Sequence, residues 1–107
     1  PKPTLRTWRK AVKLDLNFPD FQKDLFKLQK NQLQTLIKSL NKLAKLDIDQ
    51  LRNSSGFNLE KIKNLKTIGQ RTIYSIRISK SFRATLTIDG DYLRFISLHS
   101  DHDSAYF

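Results

Sequence analysis

The sequence contains no cysteine, and among its 107 residues only three are glycine and three are proline. The missing cysteines exclude disulfides, thiolate metal sites and a cysteine nucleophile. No P-loop, dinucleotide fingerprint, metal-ligand motif or internal repeat is present, so nucleotide-cofactor chemistry has no carrier in the sequence, and metal-ligating histidines and carboxylates stand together only at His99, Asp101, His102 and Asp103, without a fixed scaffold of motif spacing. No apolar run approaches the ~20 residues that span a bilayer, and no signal-peptide core precedes the first charged segment. The expectation is a soluble, cytoplasmic protein with no membrane partner. Acid is also scarce: 10 Asp and Glu stand against 20 Lys and Arg, a net charge of +10. That excess favours a polyanionic partner or an acidic protein segment. A chain of this length is expected to form one domain, residues 1–107, with a modest core.

The charge is uneven. Residues 1–70 hold 15 basic and 6 acidic residues, and residues 71–107 hold 5 and 4. Residues 1–11, with two prolines and four basic side chains, read as a basic N-terminal arm tacked down by Trp8. Val12 to Phe18 alternates apolar and polar residues, which predicts a first strand. Pro19 in a first turn, with Asp20 and Asp24 near the positive end of the helix dipole, predicts a helix carrying Phe21, Leu25 and Leu28. The phase breaks near Lys30. A second helix follows with Leu33, Leu36, Ile37, Leu40, Leu43 and Ala44 on its apolar stripe. The two form a helical hairpin whose apolar faces cover a sheet. Asp47 to Arg52 adds a helical turn, 53–56 is a loop, and Asn58 is placed to cap a short helix holding Leu59, Ile62 and Leu65.

The second half alternates with period two. Thr72 to Ile78 puts Tyr74, Ile76 and Ile78 on one face and Ser75 and Arg77 on the other. Phe82 to Ile88 puts Phe82, Ala84, Leu86 and Ile88 against Arg83, Thr85 and Thr87. A hairpin centred on Lys80 pairs Ile78 with Phe82 and sets Arg77 directly opposite Arg83. Two like charges facing each other are unfavourable alone. A bound anion removes the penalty, so the pair marks a phosphate site. Asp89-Gly90-Asp91 is a hairpin turn signal. The third strand, Tyr92 to His99, then puts Leu93 and Phe95 on the apolar face and Arg94, Ile96 and Leu98 on the face of Arg77 and Arg83. His99 ends that strand as a structural residue, and a tail carrying Asp101, His102, Asp103 and Tyr106 follows. The fold class is therefore α+β: an antiparallel sheet of about four strands with an N-terminal helical hairpin on one face.

The order of these elements, with Tyr74-Ser-Ile-Arg77, Phe82-Arg83, the strand Leu93 to Leu98 and the closing His102-Asp-Ser-Ala-Tyr106, resembles the RelE/ParE superfamily of bacterial toxin proteins over roughly residues 12–106. Two positions depart from its pattern. Ser75 stands where some ribosome-dependent members carry a basic residue, and the tail is less cationic than many. The resemblance implies a cytoplasmic toxin of a type II toxin–antitoxin system, neutralised by a cognate antitoxin, which in the RelE branch cleaves messenger RNA, often on the ribosome. Two strand arginines, a histidine and a tyrosine favour that branch over the ParE branch, which inhibits DNA gyrase, and over a non-catalytic basic binding module.

Metal-free RNA cleavage, with no cofactor, needs a base for the ribose 2′-OH, positive charge on the phosphorane-like transition state and an acid for the leaving oxygen. Arg77 and Arg83 suit the second task, because a guanidinium stays charged and grips two phosphate oxygens. His102 is the candidate acid or base, with Asp101 or Asp103 orienting it. Tyr106 either stacks on a base, assists proton transfer or packs on the sheet. Lys61, Lys63, Lys66, Lys80 and Arg94 are expected to line the RNA path.

Overall fold

The computed structural model describes residues 10–67 and 69–100. Trp8, Asp101, His102, Asp103 and Tyr106, singled out in the sequence, lie outside them. In chain order the elements are β1 (Lys13–Asp15), α1 (Pro19–Phe26), α2 (Lys30–Leu43), α3 (Ile48–Arg52), β2 (Glu60–Lys66), β3 (Thr72–Ser79), β4 (Phe82–Asp89) and β5 (Tyr92–His99). The strands form one sheet in the order β1-β5-β4-β3-β2. β1 runs parallel to β5 and every other neighbour pair is antiparallel.

The helices begin and end where local chemistry stops the preceding segment. Pro19 opens α1 with the φ a first turn needs and no N–H to leave unpaired. At the start of α2 the Gln29 N–H donates to Gln32 Oε1 at 2.8 Å. Asp47 and Gln50 cap α3 reciprocally, the Gln50 N–H donating to Asp47 Oδ1 at 2.8 Å and the Asp47 N–H to Gln50 Oε1 at 2.9 Å. α1 and α2 pack on one face of the sheet. Phe21 is fully buried with its ring 5.5 Å from that of Phe95, tilted at 54°. Leu36, Leu40 and Leu43 of α2 join Ile76, Ala84, Leu86 and Leu93 in the core, and the Ser39 hydroxyl donates to the Ile78 carbonyl. The far side of the α2 stripe is out in solvent: Leu33 and Ile37 are exposed, as is Phe26 on α1.

Three expectations change. The stretch at Leu59, Ile62 and Leu65 is not a helix. Residues 60–66 form the edge strand β2, pairing Glu60 with Ser75 and Lys61 with Tyr74. Asn58 caps nothing but takes a positive φ of 47° before the strand. Spacings of three residues over so short a span do not separate helix from strand, and the open edge of β3 decides the matter. At the β3–β4 hairpin Arg77 pairs with Arg83 as expected, but Phe82 pairs with Ser79, not Ile78, because the register shifts between Arg77 and Ser79. At the next turn Asp89 pairs with Tyr92, and Gly90 supplies the positive φ of 64°.

The third change is the largest. Leu93, Arg94 and Phe95 pair with Ile88, Thr87 and Leu86 as alternation requires, but Thr85 then pairs with Ser97, leaving Ile96 as an extra residue in β5. Such a bulge exchanges the faces of everything beyond it. Leu98 turns into the core opposite Ala84, instead of lying beside the arginines, while Ser97 and His99 come out on the arginine face.

Among the described residues no strand covers the outer edge of β5 beyond Arg94, since β1 pairs only with Tyr92, Leu93 and Arg94. The Asp24 carboxylate reaches over from α1 and accepts the Leu98 N–H at 2.9 Å. An edge N–H is thereby satisfied, and α1 is tied to the end of the strand that carries His99. On the helical layer, Leu36→Ala should destabilise the protein by about 2–5 kcal/mol, as for a fully buried leucine. Ile37→Ala, one position along on a side chain 48% exposed, should change stability by less than about 1 kcal/mol. Chemical denaturation of the two variants checks the pair, and equal losses would show that α2 presents a different face to the sheet.

Candidate active site

The face of the sheet opposite α1 and α2 carries the polar side chains that alternation leaves over. Arg77 and Arg83 face each other across β3 and β4, and His99 is the direct partner of Arg83 on its other side, from β5. One row across three strands therefore reads Arg77, Arg83, His99. A second row, one pleat along, reads Ser75, Thr85, Ser97, with Glu60 of β2 at its end. Phe57 extends the outer edge past β2, its carbonyl accepting the Arg77 N–H at 2.7 Å.

Arg83 is the most enclosed of the cations, with a side chain 18% exposed. Its nearest charge partner is Glu60, with Nη1 to Oε1 at 3.9 Å, too far for a hydrogen bond. Nη1 is buried and makes no hydrogen bond to any described residue. A buried guanidinium N–H without an acceptor is costly, so the position is primed for an anion to complete it. Arg77 is exposed and has no ion-pair partner among the described residues. Glu60 is held from behind by the Asn58 side chain, whose Nδ2 donates to Oε1 at 2.8 Å.

His99 sits at the end of a hydroxyl chain. The Thr85 and Ser97 hydroxyls share one short hydrogen bond, and Ser97 Oγ lies 2.9 Å from His99 Nε2. Ser75 and Thr85, neighbours in the same row, are both buried. Burial pushes the His99 imidazole below its ordinary value of 6.5, with the Asp24 carboxylate pulling the other way. At neutral pH the ring is therefore uncharged and can accept a proton. His99 and Glu60 are the two groups flanking Arg83 that can take a proton from a bound ligand.

The remaining expected site residues are scattered. Lys80 is exposed in the turn joining the arginine strands, and Lys61, Lys63 and Lys66 are exposed along edge strand β2. Arg94 is not gathered with Arg77 and Arg83. It lies opposite Thr87 with Nη1 bonded to Asp15 Oδ2 and Nη2 3.2 Å from Asp89 Oδ2, and it stacks over the Tyr92 ring at 4.9 Å. Asp15 is in turn held below the usual carboxylate range by the Asn17 N–H, with Arg94 adding to the effect against desolvation. Among the described residues no cluster of three or more His, Asp or Glu is arranged to bind a metal ion, and no helix is long and apolar enough to cross a membrane.

His99, Ser97, Thr85 and Glu60 are the site residues that sequence reasoning did not assemble. The signal for His99 was present: the adjacent apolar pair Phe95-Ile96 breaks an otherwise strict alternation, and a buried Leu98 requires the phase to change between them. Titration of His99 by NMR should give a midpoint below 6.5, and Asp24→Asn should lower it further. Because the unfolded chain binds the proton more readily, this histidine's contribution to stability is complete above pH 6.5 and is lost as pH falls through the folded midpoint. A midpoint at or above 6.5 would contradict the enclosed position of the ring.

No family model and no curated protein matches the sequence. The fold does match solved structures. A chain of the archaeal RelE–RelB complex from Pyrococcus horikoshii OT3 aligns over 89% of this chain and 99% of its own, with a TM-score of 0.60 at 14% identity. YoeB from the Staphylococcus aureus YoeB dimer aligns over 83% and 95%, with a TM-score of 0.52 at 21% identity. A copper-bound mutant toxin from Helicobacter pylori aligns over 88% and 98%, with a TM-score of 0.50 at 20% identity. At such identities the likeness is one of architecture, and it agrees with the resemblance carried by Tyr74 to Arg77, Phe82-Arg83 and the last strand: the fold of this chain is the RelE-like toxin fold.

Proposed function

We propose that the chain is the toxin of a type II toxin–antitoxin pair and that it acts as an endoribonuclease, cutting messenger RNA at the ribosome and thereby stopping translation. The observation that carries the reading is the row Arg77, Arg83, His99, in which the central guanidinium keeps a buried Nη1 without an acceptor among the described residues. The fold supports it, since RelE and YoeB chains share the architecture. The RelE–RelB complex supports the further proposal of a protein antitoxin as partner, and the net charge of +10 suits both an acidic antitoxin segment and RNA.

The scissile phosphate sits between Arg77 and Arg83, which take the charge that builds on its nonbridging oxygens. His99, uncharged and steadied through Ser97 and Thr85, removes the proton from the adjacent ribose 2′-OH. The 2′-oxygen attacks phosphorus, the P–O5′ bond breaks, and a proton is delivered to the departing 5′-oxygen. The products are a 2′,3′-cyclic phosphate and a 5′-hydroxyl, with no metal or cofactor required. The leaving-group proton is assigned to His102, supported by Asp101 or Asp103, and Tyr106 to stacking on a neighbouring base. Glu60 holds Arg83 in place before RNA arrives and gives way to the phosphate. Lys61, Lys63, Lys66 and Lys80 supply general attraction to the strand.

Expression without antitoxin, followed by mapping of RNA ends, should reveal new 5′-hydroxyl ends in messenger RNA. With purified protein and ribosomes, Arg83→Ala and His99→Gln should each slow cleavage by about 10²–10⁴ while melting near the wild-type temperature. Glu60→Gln should remain within about tenfold of wild type. A loss with Glu60→Gln equal to that with His99→Gln would move the base to the carboxylate. Intact messenger RNA in growth-arrested cells would contradict the nuclease reading altogether.

A further inference from the structure

The polar face of the sheet does not end at the arginine row. Along β4 the same face continues from Arg83 through Thr85 to Thr87, a span of about 13 Å at the rise of an extended strand. There the surface opens into a cavity of about 680 Å³, within the range of small-ligand sites. Its floor is Ile73, Thr87 and the bulge residue Ile96. One wall is the connection between β1 and α1, with Asn17 and the half-exposed ring of Phe18; the other is the end of β2, with Lys66 at the rim. The lining is mainly apolar. Its carboxylate, Asp15, is neutralised by Arg94 within the same cavity.

Two features of this cavity belong together only if a flat, partly polar group attached to an anionic chain enters it. The first is an aromatic ring presented to solvent beside an aliphatic floor, an arrangement that suits stacking of a planar ring. The second is a cationic rim: Lys66 is exposed and has no ion-pair partner among the described residues, so it is available to a phosphate entering with the ring. Asn17 and Thr67 add hydrogen-bonding groups at the walls. The cavity lies on the same face as the arginine row, and Ile96 in its lining is followed directly by Ser97, which bonds to His99. An extended single strand whose phosphate lies on Arg83 can thus lead a base further along it towards the cavity.

We infer that this cavity is a nucleobase subsite, in which Phe18 stacks on a base of the RNA strand near the scissile phosphate and Lys66 meets that nucleotide's phosphate. The inference rests on the nuclease reading for its role in choosing the cleavage site, but the binding of a nucleotide there is separable from cleavage. Phe18 is a specificity residue in this account, since it touches a base remote from the reacting atoms.

The test uses the whole protein with isoleucine methyl groups labelled for NMR, and adenosine and uridine 5′-monophosphate as probes. Titration should shift the methyl signals of Ile73 and Ile96. The shifts should persist in Arg83→Ala, and binding should weaken about five- to a hundredfold in Phe18→Ala, the worth of one base–aromatic stack. A cavity that binds nucleotide in a protein that cuts no RNA would sustain the subsite and sink the nuclease reading. Methyl signals that stay fixed while the arginine row responds, or shifts that survive Phe18→Ala unchanged, would overturn the subsite. In the cleavage assay, Phe18→Ala should raise KM and redistribute the cut positions with kcat close to wild type, opposite to the pattern of Arg83→Ala; a fall in kcat at unchanged KM would also overturn it.

Discussion

One extra residue in β5 determines what the polar face of this sheet contains. Alternation alone would bury His99 on the helical side and bring Leu98 out beside two guanidinium groups. The bulge at Ile96 reverses both, so that Leu98 closes the core against Ala84 and His99 stands opposite Arg83. Each outcome is favourable on its own terms: a leucine leaves water and an imidazole reaches partly polar surroundings. The Asp24 carboxylate fixes the same turn of strand from the outside by taking the Leu98 N–H. A helix carboxylate, a strand edge and the position of a candidate base are thereby one arrangement.

The arginines obey a second constraint. Two like charges opposite each other on neighbouring strands oppose pairing, and among the described residues the fold answers with one distant carboxylate, Glu60, which leaves Nη1 of Arg83 without an acceptor there. Arg94 shows the contrasting solution on the same face. Its fork is occupied by Asp15 and Asp89 and its plane lies over Tyr92, so it builds the far end of the sheet by joining β1, the β4–β5 turn and β5. An arginine whose fork is filled by two carboxylates and one with a single distant carboxylate among the described residues are what separates framework from candidate site here.

Much of this was legible in the sequence. The proline-led start of α1, the leucine spacing of α2, the glycine turn at Gly90 and the facing of Arg77 and Arg83 follow from local rules of capping, period and turn chemistry. What was not legible depends on partners distant in sequence. Residues 60–66 become a strand because β3 offers an open edge, and Arg94 is held away from Arg77 and Arg83 by Asp15, which is 79 residues away. The position of His99 was hidden because a period-two reading carried through Phe95-Ile96 assigns it to the wrong face, although that apolar doublet was the cue. Leu33 and Ile37 fit the helical stripe yet remain outside the core, since a stripe wider than the facing sheet leaves its margin in solvent.

The central proposal is that Arg77 and Arg83 seat one phosphate beside His99, and the His99 imidazole reports on it directly. Its NMR titration should be followed with and without a short RNA analogue that lacks the 2′-hydroxyl at the scissile position. A phosphodiester seated on Arg83 brings negative charge beside the ring, so saturation should raise the His99 midpoint, and Arg83→Ala should abolish the rise. A midpoint that the analogue leaves unchanged while it binds elsewhere on the protein would contradict the account.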